Sequence, residues 1–173
     1  MNATSFIQIG FAFIFGLTGV LKLLAPSAMK HTLQAVGIPK PLSAAGAWLV
    51  PLLEIAAAAL LLWPSTLRAG QLLALALTAG FAYAVIVALG SKQKIRCSCF
   101  GQFMEEHLGW GTAVRIAVLL TMNGALTWAG PPAALDSLPA QELILCGLCW
   151  IGVVGLYAAA SYITRLMMPT RTE

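Results

Sequence analysis

Apolar residues gather along this chain into five long windows, 5–25, 42–63, 69–89, 111–129 and 143–163, parted by shorter polar connections. A hydrocarbon core of ~30 Å takes about 20 helical residues at a rise of ~1.5 Å each, so every window predicts a transmembrane helix. What remains is connection. The expected fold class is therefore all-α, an integral membrane helical bundle forming a single transmembrane domain over residues 1–173, with no room for a soluble domain.

Breakers refine the plan. Pro26-Ser27-Ala28 reads as a helix start, and Leu33 and Val36 offer a short apolar face before Gly37-Ile38-Pro39-Lys40-Pro41, which predicts a short interfacial helix. Trp63-Pro64-Ser65 ends the second window with an aromatic at interface depth, and Trp110 and Trp128 bracket the fourth. Pro131-Pro132, Asp136 and Pro139 make the last connection an irregular external loop. Ala12/Gly16 and Gly155/Ala159 place small residues at helical spacing, where helices can approach closely.

Composition agrees with the pattern. With 60% apolar and 9% charged residues, the chain lacks the polar groups to cover a water-facing surface. The net charge of +4 forms no basic stripe with interleaved aromatics, so nucleic acid is not an expected partner; membrane lipid is. Charge position sets topology instead. Lys22, Lys30, Lys40, Lys92, Lys94, Arg96, Arg165 and Arg171 lie around the first and third connections and the C-terminus, against Arg68 alone in the second. The positive-inside rule then puts the N-terminus outside, and the C-terminus and the 91–110 loop inside. The first residues lack a basic n-region, so the first helix is expected to be retained.

Two cysteine pairs are the first candidates for chemistry. Cys97-Ser98-Cys99 lies in the 91–110 loop after Lys92, Lys94 and Arg96, and neighbouring positive charge favours the reactive thiolate. A bridge between residues i and i+2 closes a strained, easily reduced ring, which suits exchange rather than bracing. A soft-metal site, with Met104 and His107 as the nearby ligands, and two incidental loop cysteines are the competing readings. Cys146-Gly147-Leu148-Cys149 has dithiol spacing and sits near the external end of the fifth window, where it serves either as a second redox pair or as small apolar packing.

Glu54 is the remaining candidate, about 16 Å into its window and close to the midplane, where a carboxylate must be protonated or partnered. Lys22 lies about 5 Å from the inner end of its own helix and can snorkel outward, so a direct pair with Glu54 needs helix tilt. Asn123, about 20 Å in from Trp110, is the better partner by depth, able to hydrogen-bond a neutral carboxyl. Glu54 and Asn123 together form a candidate polar site, and Arg115 is an expected interfacial anchor.

Phe15-Gly16-Leu17-Thr18-Gly19-Val20-Leu21-Lys22-Leu23, Pro51-Leu52-Leu53-Glu54 and Cys97-Ser98-Cys99-Phe100-Gly101 together resemble the MauE branch of the DoxX-like membrane proteins, with the CxCFG element the most specific part. The likeness runs from Ser5 to Ala129. It implies a bundle of about four helices in the bacterial inner membrane, associated with thiol redox or with maturation of exported disulfide-bearing proteins such as methylamine dehydrogenase. A DoxX-like four-helix core plus a fifth transmembrane helix, bearing Cys146 and Cys149, is thus the expected architecture. The vitamin K epoxide reductase group shares the role of loop cysteines plus a dithiol, which leaves a quinone open as cofactor.

The resulting expectation is a membrane thiol-disulfide redox protein acting on a thioredoxin-like or exported partner through Cys97 and Cys99, with Cys146 and Cys149 as a second pair. Three rivals stand beside it: a non-enzymatic membrane subunit or assembly factor, a soft-metal carrier, and a quinone-linked reductase.

Overall fold

A computed structural model of the chain describes residues 3–90, 96–97, 106–107, 110–129 and 139–167. Their order is α1 (Ala3–Leu23), α2 (Pro26–Ala35), α3 (Lys40–Leu62), α4 (Leu67–Gly90), β1 (Arg96–Cys97), β2 (Glu106–His107), α5 (Trp110–Trp128) and α6 (Ala140–Met167). Among the described residues the molecule is an all-helical membrane bundle apart from one antiparallel ladder of two residues per strand.

Among the described residues four helices are long and apolar enough to cross a membrane: α1, α3, α4 and the Gln141–Ala160 part of α6. α5 fills the place of the fourth window but is the least apolar of the five long helices, since it carries Arg115 and Asn123. The short helix at Pro26 forms as expected, with proline in its first turn, where the missing N–H costs nothing. It lies on the start of α3: Leu33 reaches so close to Gly46 that a Cβ there would stand 2.8 Å from its Cδ1. The first turns of α3 are thus occupied by α2, and α3 meets α1 only further along.

α1 and α3 run antiparallel and pack through small residues. Gly16 faces Ala58 at ordinary contact distance, as the Ala12/Gly16 spacing anticipated, whereas Gly155 of α6 has open space around it. Phe11, Phe15, Ala57, Leu61, Ala74, Met122 and Leu126 form the main apolar core between α1, α3, α4 and α5. Val85, Ala88 and Ile116 form a second cluster toward the far end of α4. Large apolar side chains such as Leu72, Tyr83, Ile86 and Leu156 point outward, which suits a lipid surround rather than water.

α6 is attached differently. Trp150 stacks on Phe6 with ring centroids 5.3 Å apart, donates its indole N–H to the Phe6 carbonyl at 3.2 Å, and covers Gly10 so closely that any Cβ there would collide with the indole. Arg115 of α5 donates to the Tyr157 hydroxyl, its Nε at 2.8 Å, and so ties two helices together.

Candidate functional site

Lys22, Glu54 and Phe81 come from α1, α3 and α4 and meet inside the bundle. Lys22 Nζ donates to Glu54 Oε1, with the two side chains only 2% and 1% exposed, and lies over the Phe81 ring at 4.2 Å from its centroid. Gly19 makes the approach possible: a Cβ there would lie 2.8 Å from Ile55 Cγ1, 3.0 Å from the Pro51 carbonyl oxygen and 3.2 Å from Glu54 Cβ. Pro51 sits inside α3 and lacks the N–H that would continue the helical ladder one turn before Glu54.

The pairing corrects the sequence expectation for both partners. Lys22 turns inward instead of snorkelling, and Glu54 takes Lys22, not Asn123. Asn123 Nδ2 donates to the Gln71 carbonyl at 3.0 Å. Gln71 is ten residues from Phe81 on α4, about 15 Å along the axis, so Asn123 and Glu54 occupy different levels. Residue depth along the second window does not give the helix register, because the first turns of α3 lie beside α2, which shifts the level at which α3 meets α1. Phe81 and the Gln71 contact carried no sequence signal. Lys22 and Glu54 did carry one, as opposite charges in consecutive apolar windows, each within a motif of the resemblance.

Charges sealed from water cost several kcal/mol each unless paired, and the pair offsets that only while both partners are present. One carboxylate oxygen, Glu54 Oε2, is buried and has no hydrogen-bond partner among the described residues. The arrangement clamps three helices through an ion pair in the interior. Further along, Gln8 Nε2 donates to the Leu61 carbonyl at 2.6 Å, a second polar tie between α1 and α3.

The cysteines lie elsewhere. Cys97 pairs with Glu106 and Arg96 with His107 across the β1–β2 ladder, between the end of α4 and the start of α5. Cys99 lies outside the described residues. In α6, Cys146 is buried and Cys149 exposed, and no disulfide joins them. Trp150 docks near the start of α1, and Gln8 reaches the last turn of α3, so Cys146 and Cys149 belong to the end of the bundle where α4 begins. Cys97 follows the other end of α4, a helix of 24 residues or about 36 Å. Among the described residues, Cys97, Cys146 and Cys149 all lie away from Glu54.

A family model for the methylamine utilisation protein MauE matches residues 1–129. The chain belongs to the MauE family. The match ends just beyond α5, so it includes Lys22, Glu54, Phe81, Cys97 and Cys99 and leaves out α6 with Cys146 and Cys149. No curated protein and no solved structure matches the chain. Family and helices together make this a multi-pass membrane protein.

Proposed function

We propose that this MauE-family chain is a thiol-disulfide redox protein of the bacterial inner membrane, serving a thioredoxin-like or exported partner through Cys97 and Cys99. The observation that carries the reading is the place of the doublet. Both cysteines fall within the family match, and Cys97 stands on the short ladder between the end of α4 and the start of α5. Basic neighbours Lys92, Lys94 and Arg96 favour the thiolate that exchange requires.

One thiolate of the doublet attacks the partner's disulfide, giving a mixed disulfide and a partner thiolate that takes up a proton. The second cysteine then attacks the mixed disulfide. The partner leaves as a dithiol and this chain holds the Cys97–Cys99 disulfide, so two electrons and two protons have moved and no other oxidant is consumed. A second dithiol protein returns the doublet to its reduced form, and the same steps in reverse oxidise a partner. Cys146 and Cys149 are the second pair of this proposal. Exchange needs sulfur contact, so with the length of α4 between them the two pairs serve separate partners or share a mobile carrier. The charge asymmetry supports an outside N-terminus with the doublet inside, where thiols are kept reduced.

Intact cells treated with a membrane-impermeant thiol reagent, before and after reduction, test both sidedness and redox state. The expected outcome is a doublet that is reactive after permeabilisation and shifts with the redox state of the cell, and a partner trapped as a mixed disulfide by Cys99→Ser or Cys97→Ser. A partner redox state unchanged in the doubly substituted strain overturns the redox reading and leaves a membrane assembly subunit in its place.

A further inference from the structure

A cleft of about 590 Å³ opens between the start of α4 and the end of α5, at the opposite end of the molecule from Cys97. Its size falls within the about 300–1,000 Å³ of small-molecule sites. Polar and apolar residues divide along its length. Arg68, in the first turn of α4, stands at the outer mouth, and among the described residues it has no carboxylate partner. Gln71, one turn deeper, is only 7% exposed, and its Nε2 is buried with no hydrogen-bond acceptor. Leu72, Leu75 and Leu120 continue the cleft inward, Leu75 about 10 Å deeper than Arg68 by helical rise.

A cation at the interface, an amide donor without an acceptor just below it and an apolar run beneath that match one kind of occupant. Its head is an anionic oxygen acid and its body is hydrocarbon. We propose that this cleft binds an acidic phospholipid, its phosphate on the Arg68 guanidinium and within reach of the Gln71 amide, one acyl chain lying along Leu72, Leu75 and Leu120. Guanidinium recognises phosphate oxygens through two parallel N–H bonds, and a buried amide hydrogen gains most from an acceptor brought by the ligand itself. The proposal is independent of the cysteine chemistry.

The test uses the full chain in mild detergent, titrated with phosphatidylglycerol and separately with phosphatidylcholine of identical acyl chains, bound lipid being counted by native mass spectrometry. Both lipids present the same phosphodiester, but the choline head adds a quaternary ammonium that cancels its charge and is repelled by Arg68. A difference on the order of one charged contact predicts about tenfold tighter binding of phosphatidylglycerol. Arg68→Gln should bring the two lipids to equal affinity. Gly124 lines the cleft and has open space where a side chain would go, so Gly124→Leu fills the site without touching the polar residues and should weaken both lipids while leaving the melting temperature in place. Glycerol phosphate, the head alone, should fail to compete. Equal affinity of the unaltered chain for the two lipids, phosphatidylglycerol binding that survives both substitutions, or a co-purified neutral isoprenoid that phosphatidylglycerol does not displace would overturn the proposal.

Discussion

α1 and α6 both run through apolar sequence, yet they are held in opposite ways. α1 buries Phe11, Phe15, Gly19 and the charged Lys22 against α3 and α4, and Lys22 and Gln8 each bond across to α3. α6 buries Cys146 alone among those of its residues whose burial is described, and it holds on through Trp150 and Tyr157. Lipid tails are as apolar as leucine, so burying another leucine between helices stabilises little. Close packing at small residues and polar bonds across the interface do the holding, and α1 has both along its length. In α6 they are seen at Trp150 and Tyr157.

The largest test of that contrast is to remove one charge from the α1–α3 clamp. Glu54→Leu leaves Lys22 buried without its carboxylate and should cost about 3–5 kcal/mol, read as a fall in the thermal midpoint of the purified protein. Lys22→Met added to Glu54→Leu should recover most of the loss, because an apolar pair of similar volume removes the orphaned charge. A double variant no better than the single one would mean that packing, not charge, limits this interface.

Trp150→Ala tests the other side. The indole is partly covered, so the cost should be about 2 kcal/mol, below the about 3–5 of a fully buried tryptophan. The loss should be confined to α6: protease cutting between α5 and α6 should rise while the α1–α5 midpoint holds. Gly19→Val sharpens the comparison at the clamp, since the added atoms meet the Pro51 carbonyl and Ile55; overpacking should cost about 1–3 kcal/mol. Asn123→Ala gives the smallest effect, about 1 kcal/mol for one buried hydrogen bond to the Gln71 carbonyl. An Asn123 effect as large as that of Glu54 would show that polar ties between α4 and α5 matter as much as the ion pair.

Five long helices and the short one at Pro26 were legible along the chain, because length, apolarity and breakers act locally. The cysteine doublet stands out in the sequence as a motif, and its redox role is a proposal. The partner of Glu54 was not legible. Counting residues from a window's start measures depth along one helix, and the register between two helices depends on what else packs there. α2 lies on the first turns of α3, with Leu33 against Gly46, and the Gly19 contact with α3 comes further along, at Pro51 to Ile55. Asn123 of α5 meets Gln71 of α4 instead, near the start of α4 and away from the level of Glu54.

The amino-acid order by itself determined that this protein lives in a bilayer, which segments are helical, and which residues have chemistry to offer, since each follows from side-chain transfer energies and local geometry. Tertiary structure alone decided which polar residues meet. Lys22 and Glu54 lie 32 positions apart, joined through a gap that Gly19 leaves open, and no local property of either residue contains that contact.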